Sequence, residues 1–137
     1  MKTPIWLDRE DCLAIHEMML SQHGGLAGVR DEGMLASALG KPQNRFAYQS
    51  SSLPALAASY AAGIVLNHPF LDGNKRTGFM AAVTFLDVNG IDFIALEQSV
   101  VEHTLALASG RIKEARYAAW LNAHSKRARV FPPARRT

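Results

Sequence analysis

The segment ALAASYAAGIVL, residues 55–66, is apolar on almost every side of a helical projection. A helix of this kind must be surrounded by other elements, because none of its faces suits water. Pro54 is well placed in the first turn, where a missing backbone N–H costs nothing. The segment therefore predicts a central helix with further elements packed around it.

Helical spacing of apolar residues predicts five more helices. They are REDCLAIHEMMLSQH after Asp8, EGMLASAL after Asp31, a second central helix from Asn74 or Lys75 to Gly90, EQSVVEHTLALASG and RIKEARYAAWLNAH. Aspartate at the first two starts suits the N-cap position. Strand signals are scarce, although IDFIAL, residues 91–96, is expected to be a short extended connector. The predicted fold class is all-α.

The stretch from Lys41 to Ser52 interrupts this pattern, because it is polar and aperiodic. Gly40 and Pro42 are expected to end the second helix, since both residues disfavour helix interiors. The stretch is predicted to be a loop or a small hairpin that precedes the central helices, and either form remains open.

Composition excludes several classes of protein. The 137 residues, 15.0 kDa, suit one domain, and 48% hydrophobic with 20% charged residues is too apolar for disorder. The longest apolar run, Ala61 to Leu66, is far shorter than a membrane span, and no signal-peptide core is seen at the N-terminus. Cys12 stands alone and cannot form an internal disulfide. The expected location is the cytoplasm.

The cations are unevenly placed along the chain. Residues 126–137 hold five of the 15 Lys and Arg residues and no acid, which leaves residues 1–125 with ten cations against 12 carboxylates. We predict a single domain over 1–125 and a basic, flexible tail over 126–137. Contact of the tail with a polyanion or partner is the alternative. Direct nucleic-acid binding is not expected, because the cations do not spread over a folded face.

The motif HPFLDGNKRTGF, residues 68–79, joins the end of the first central helix to the start of the second. A helix start presents unpaired N–H groups and a positive dipole end, so it favours an anion such as phosphate. Gly73 allows close backbone approach, Asn74 offers an amide donor, and Lys75 with Arg76 add positive charge.

Two further residues of the motif suggest chemistry. Asp72 would repel a phosphate unless a cation lay between them, which makes it a candidate ligand of Mg²⁺. The unperturbed imidazole of histidine has a pKa of about 6.5, so a residue of this type can accept a proton from an attacking hydroxyl, and His68 is the candidate. Each of these residues alone could be structural, as a turn, a cap or a solvated helix start. The motif is not a Walker A loop, because G-x-x-x-x-G-K-[ST] is absent.

The residues HPFLDGNKRTG resemble the signature of the Fic/Doc superfamily, whose core pattern is H-x-F-x-[DE]-G-N-x-R. The variant of the motif with lysine at position 75 resembles the death-on-curing (Doc) branch of the superfamily. Two other segments also resemble that branch, namely HGGLAGVRDEGMLASALGKPQ at 23–43 and FLDVNGIDF at 85–93. The resemblance extends to about Ala123. It implies a compact all-α helical bundle, with two central helices joined by the motif loop and a flap or small hairpin before them.

The resemblance also implies roles for the motif residues. His68 would be the general base and Asp72 the Mg²⁺ ligand, with Lys75 and Arg76 also taking part in catalysis. The nucleotide-binding residues would be Gly73, Asn74, Lys75, Arg76 and Thr77. The implied cofactors are ATP and Mg²⁺.

The branch within the superfamily decides which group is transferred. Most Fic members transfer AMP and have a small residue where this chain has Lys75 and an arginine where it has Phe79. Similarity to the Doc branch instead implies the toxin of a type II toxin–antitoxin system. Such a toxin would be a protein kinase that transfers the ATP γ-phosphoryl group to a threonine of elongation factor Tu and inhibits translation. An AMP transferase is the alternative, and a catalytically silent partner-binding module is a third hypothesis.

Several other features carry weaker predictions. The four remaining histidines show no metal-ligand spacing, so exposed or core positions are expected for His16, His23, His103 and His124. Residues 30–32 are expected to be a capped helix start, with a place in the active cleft as the alternative. Phe46 and Tyr48 could align a target chain by strand addition, or could simply pack. The resemblance also implies an antitoxin whose C-terminal segment folds onto the toxin.

Overall fold

A computed structural model describes residues 2–49 and 51–128. Within these residues the chain forms six helices and one two-stranded sheet, in keeping with the predicted all-α class. The elements are α1 (Arg9–His23), α2 (Glu32–Tyr48), α3 (Leu53–Asn67), α4 (Asn74–Val88), β1 (Ile91–Phe93), α5 (Glu97–Ala108), α6 (Glu114–Ala123) and β2 (Ser125–Arg127).

Helix α3 lies at the centre of the core, as its apolar sequence predicts. Every residue from Leu56 to Val65 is buried, and α2, α4, α5 and α6 all pack against it. Two glycines allow its closest contacts. A Cβ on Gly63 would lie 2.9 Å from Cβ of Ala38 in α2, and a Cβ on Gly78 would lie 2.6 Å from Cγ2 of Val65. Both central helices are therefore packed almost backbone to backbone with a neighbour.

The predicted helix starts are confirmed by their caps. Asp8 and Asp11 form a reciprocal capping box at α1, and Asp31 accepts a hydrogen bond from the backbone N–H of Met34 at 3.0 Å. Pro54 lies in the first turn of α3, after Ser52 as the N-cap. Side chains thus satisfy donors that these helix starts would otherwise leave unpaired.

Helix α2 contradicts the prediction for residues 41–52. It continues through Gly40 and Pro42 to Tyr48, so both the predicted loop and the alternative hairpin are wrong there. An interior proline costs about 3 kcal/mol through its lost N–H and its ring clash. Pro42 is itself buried, one turn after Ala38, and Phe46 packs edge-on against Trp6 at 5.7 Å. This burial offsets the cost of the proline.

The same helix makes strand addition at Phe46 and Tyr48 wrong as a prediction. Both residues are helical, and Phe46 is packed against the core. Tyr48 is 88% exposed at the end of α2. Neither residue offers an extended backbone with which a target strand could pair.

A group of charges that we term the Glu114 cluster links α2, α3 and α6. Lys41 Nζ and Arg45 Nη1 each lie 2.7 Å from an oxygen of Glu114, and Ser59 Oγ donates to Oε2 at 2.7 Å. Burial has the largest effect on the pKa of Glu114 and raises it. The hydrogen bonds and the two positive charges together outweigh burial and lower this pKa below 4.5. The carboxylate is therefore ionised and satisfied.

The small sheet changes the predicted boundary of the basic tail. Residues 91–93 are extended, as expected for the connector, and pair antiparallel with Ser125–Arg127. The N–H of Ala128 also donates to the carbonyl of Gly90 at 2.8 Å. A flexible tail is thus wrong for Lys126 and Arg127, because they form β2. The rest of the predicted tail, residues 129–137, lies outside the described residues.

Among residues 2–49 and 51–128, no helix is both long enough and apolar enough to cross a membrane.

Candidate active site

The motif occupies the turn between α3 and α4, where the chain twice adopts a left-handed backbone. His68 is the C-cap of α3 with φ 50° and ψ 58°, and Gly73 is the N-cap of α4 with φ 74°. Within the described residues, His68 is the only non-glycine residue with positive φ. Such a conformation is uncommon outside glycine, and here it ends α3 and turns the chain into the motif loop.

The imidazole of His68 is exposed, and no hydrogen bond joins its ring to another described residue. Its main chain, by contrast, is fixed. The His68 N–H donates to the carbonyl of Ile64 at 3.1 Å, and Nε of Arg30 donates to the His68 carbonyl at 2.6 Å. The ring is therefore free to act as a base on a fixed backbone.

The segment of residues 28–31 braces the motif loop from outside, and Val29 forms an isolated antiparallel bridge with Phe70. The N–H groups of Arg30 and Asp31 donate to the carbonyl of Pro69 at 2.7 and 3.1 Å, and the N–H of Leu71 donates to Gly28 at 3.0 Å. Asp31 also caps α2. The start of α2 and the motif loop thus form one hydrogen-bonded unit.

Asp72 is held as an ionised carboxylate facing a cavity. Hydrogen bonds from the N–H groups of Leu26 (3.1 Å, to Oδ2) and Gly73 (2.9 Å, to Oδ1) are the main causes that lower its pKa. A Cβ on Gly25 would lie 2.8 Å from Oδ2. Only glycine at position 25 therefore lets this carboxylate take its place.

The carboxylate fits a hard cation such as Mg²⁺. Each oxygen of Asp72 accepts one N–H and keeps a further lone pair for a ligand. In the described part of the chain, no group of three or more His, Cys, Asp or Glu side chains comes together as a metal site. A cation at Asp72 would thus take its other ligands from phosphate oxygens and water, which is the usual pattern for Mg²⁺.

The start of α4 has the features of an anion site. Gly73 supplies no side-chain cap, and the first helical hydrogen bond runs from Thr77 N–H to the Gly73 carbonyl at 3.0 Å. The N–H groups of Asn74, Lys75 and Arg76 have no acceptor among the described residues. Lys75 and Arg76 are exposed and line the cavity. Unpaired donors and two cations therefore meet at one helix end.

Asn74 holds the loop together instead of presenting a free amide. Its Oδ1 accepts from the N–H of Phe70 and its Nδ2 donates to the carbonyl of Phe70, both at 3.0 Å. The residue is 8% exposed. Its side-chain contribution is thus to loop geometry, while its backbone N–H belongs to the anion site.

Thr77 requires a correction. Its side chain is fully buried, so contact with a bound nucleotide is wrong as a prediction. Its N–H is already bonded to Gly73, and its Oγ1 has no hydrogen-bond partner among the described residues. Helical spacing explains the error, because position 77 lies on the core-facing side of α4 while Lys75 and Arg76 lie on the outer side.

The cavity beside Asp72 has a volume of about 510 Å³, within the usual size of a small-molecule site. One end is polar and carries Asp72, Lys75 and Arg76. The rest lies between α1, α4 and α5 and is largely apolar, with side chains from Met19, Phe79, Met80, Val100, Val101 and Leu105. His68 does not line it. The cavity thus offers an apolar compartment next to an anion site.

His16 is a site residue that sequence reasoning assigned only to an exposed or core position. It is 5% exposed, and its Nε2 lies 2.9 Å from the main-chain oxygen of Asp72. Its ring stacks on Phe70 at a centroid distance of 3.9 Å. The contact spans 56 residues, so only the fold reveals that this histidine supports the motif. Gly25 is a second residue whose contact with Asp72 is visible only in the fold.

Comparison with known proteins agrees with the motif. The sequence profile described as the Fic/DOC family matches residues 6–86.

The chain belongs to the Fic/Doc family.

Two curated relatives are similar to this Fic/Doc chain over most of their length. "Protein kinase doc" of Escherichia phage P1 is 33% identical over 104 residues, which cover 75% of this chain and 82% of that protein. "Toxin Doc" of Mycolicibacterium smegmatis is 40% identical over 93 residues, which cover 66% of this chain and 68% of that protein. These matches confirm the predicted Fic/Doc superfamily and its Doc toxin branch.

Proposed function

We propose that this Fic/Doc toxin is a protein kinase that transfers the γ-phosphoryl group of ATP to a threonine of elongation factor Tu and so inhibits translation. The observation that carries the proposal is the pairing of two features at the motif: an exposed imidazole at the end of α3 that no described residue binds, and an uncapped start of α4. The two exposed cations of that helix start, Lys75 and Arg76, form no salt bridge with another described residue. The name of the phage P1 relative, "Protein kinase doc", supports phosphate as the transferred group.

In this mechanism, the start of α4 binds the phosphates of the substrate ATP. The unpaired N–H groups and the side chains of Lys75 and Arg76 would neutralise its charge. Asp72 would hold Mg²⁺, which supplies further charge neutralisation when bound. The apolar part of the cavity gives the remainder of the nucleotide an apolar surface to pack against.

His68 would act on the acceptor. The threonine oxygen attacks the γ-phosphorus, a new P–O bond forms, and the bond between the γ-phosphorus and the bridging oxygen breaks to release ADP. The proton of the hydroxyl passes to the imidazole of His68. A general base of this kind contributes about 10²–10⁴ to the rate.

Two residues favour this assignment over AMP transfer. Phe79 lines the cavity where the wider Fic pattern has an arginine, and a phenyl ring cannot bind phosphate. Lys75 adds charge and bulk at the phosphate end. We further propose that the chain acts within a type II toxin–antitoxin system in the cytoplasm, with an antitoxin whose C-terminal segment folds onto it.

The test uses ATP labelled at either the γ- or the α-phosphate, with Mg²⁺ and purified elongation factor Tu. We expect γ-label on a threonine, loss of at least 100-fold for His68→Ala, and unchanged transfer for His124→Ala, which alters a histidine at the end of α6. Transfer of α-label alone would establish the AMP transferase instead. If neither label transferred, and growth arrest on expression survived His68→Ala, the chain would be a binding module.

A further inference from the structure

The end of α3 is bound by a cation from outside the motif. Nε of Arg30 donates to the carbonyl of His68 at 2.6 Å, and Nη2 donates to the carbonyl of Asn67 at 2.8 Å. Among the described residues no carboxylate lies within salt-bridge distance of Arg30. Its guanidinium is therefore committed to these two carbonyls.

These carbonyls need such a partner. The last carbonyls of a helix have no intrahelical donor and carry the negative end of the dipole, so a cation there is stabilising. A planar guanidinium can donate to two neighbouring oxygens at once, which an ammonium group cannot match in geometry. The left-handed backbone of His68 adds a cost, because a Cβ in that conformation approaches the carbonyl oxygen.

Arg30 is itself well anchored. Its N–H donates to the carbonyl of Pro69 at 2.7 Å, and the next residue, Asp31, caps α2. The side chain and the main chain of one residue thus bind three consecutive carbonyls, those of residues 67, 68 and 69. Few other arrangements would fix both the position and the direction of the His68 Cα–Cβ bond.

We infer that Arg30 is a positioning residue for His68: its guanidinium holds the left-handed end of α3, from which the imidazole projects without a hydrogen bond to any described residue. The catalytic consequence rests on the proposed function, because it takes His68 as the base. The structural consequence, which concerns the backbone of His68, does not.

The test compares Arg30→Met and Arg30→Lys with Arg9→Met. Arg9 is a matched control, because it is an exposed arginine whose fork binds Glu32 instead of the motif. Two quantities are measured in each full-length variant. One is kcat and KM for ATP in the transfer assay, and the other is the set of His68 backbone chemical shifts and the HN–Hα coupling, which report φ.

We expect Arg30→Met to lower kcat by about 10-fold or more, since small misplacements of catalytic groups have large effects on rate. KM for ATP should change less than about twofold, because the anion site on α4 is separate. The His68 shifts and coupling should leave the left-handed range. Arg30→Lys should recover part of both losses, and Arg9→Met should show neither.

The inference is overturned if Arg30→Met leaves the His68 shifts and coupling as in the unaltered protein, whatever happens to Tm or kcat. It is also overturned if KM rises as much as kcat falls. Failure of the proposed function looks different: the unaltered protein would transfer no phosphate, while the response of the His68 backbone to Arg30→Met would still decide the structural role of Arg30.

Discussion

Two regions of this molecule contain a carboxylate near two cations, but among the described residues the charges are paired in one region and unpaired in the other. In the Glu114 cluster, a carboxylate is bonded to Lys41 and Arg45 at 2.7 Å and is largely buried between three helices. At the motif, Asp72 lies near Lys75 and Arg76 on one cavity, yet no salt bridge forms among them.

The difference separates a structural site from a binding site. Charges that neutralise one another stabilise the fold and leave nothing for a ligand. At the motif the charges are held apart: the carboxylate is bound by backbone N–H groups, and the cations lie at the positive end of a helix. Their electrostatic energy would therefore be lowered most by the joint binding of an anion and a cation. Sequence composition alone does not distinguish the two regions.

Asp72→Ala should reduce activity more than any other substitution considered in these two regions. If Asp72 holds Mg²⁺ as proposed, its loss should lower phosphoryl transfer by at least about 100-fold, because metal charge stabilisation contributes several kcal/mol to such reactions. Tm should change little, since the side chain is exposed. Rates measured across a Mg²⁺ titration, together with thermal melts, check both expectations.

Asp87→Ala is the control for Asp72→Ala. Asp87 is an exposed carboxylate near the other end of α4. It should keep full activity and an unchanged Mg²⁺ dependence. Equal losses in the two variants would mean that Asp72 has no special part in binding the cation.

The second prediction alters the structural region. Glu114→Gln should lower the free energy of unfolding by about 2 kcal/mol, because the partly buried Arg45 and the exposed Lys41 would both lose their carboxylate. ATP affinity should remain unchanged in the folded protein. Urea melts and ATP titrations check this pair of outcomes, with Glu102→Gln as an exposed control. If Glu114→Gln lowered the free energy of unfolding no more than Glu102→Gln, the Glu114 cluster would not stabilise the fold.

A third prediction concerns the cations of the motif. Lys75→Gln and Arg76→Gln should each weaken ATP binding about tenfold, the equivalent of one charge-assisted hydrogen bond. Their Tm should stay the same or rise slightly, because a cation at a helix start opposes the dipole. Lys113→Gln, at the start of α6 and away from the cavity, is the matched control for affinity. A marked fall in Tm would show that these cations stabilise the fold.

The smallest expected effect is a pH dependence of stability. The pKa of Glu114 is lowered in the folded chain from 4.5. Its stabilising contribution should therefore be complete above about pH 4.5 and lost as the pH falls from there through the lowered folded value. Tm of the unaltered protein should fall more steeply over this acid range than Tm of Glu114→Gln. Parallel curves would show that Glu114 does not cause the acid sensitivity.

The sequence predicts those parts of the fold that depend on neighbouring residues. The apolar segment before His68 correctly predicted the central helix, and Asp8 and Asp31 correctly predicted the starts of α1 and α2. Helix α2 was the main error, since local rules place a stop at Gly40 and Pro42. The helix continues because Pro42 is buried there and Arg45 binds Glu114 of α6.

The candidate site was predictable in its motif but not in its supports. The candidate residues lie close together in sequence, and their residue types indicate the chemistry proposed for them. They are His68, Asp72, Lys75 and Arg76. His16 and Arg30 reach the same loop from 56 and 38 residues away. No local pattern reveals such contacts, just as none shows that Thr77 turns toward the core.

The contact at Gly78 sets how far the two halves of the site stand apart. A single methyl group on residue 78 would meet Cγ2 of Val65 at 2.6 Å and the carbonyl of Ala61 at 3.1 Å. Val65 precedes His68 by one turn, and Gly78 follows the first residue of α4 by one turn. Added volume at position 78 would therefore move the end of α3 away from the start of α4. The absence of a side chain at one helix crossing thus sets the separation between His68 and the unpaired N–H groups of α4.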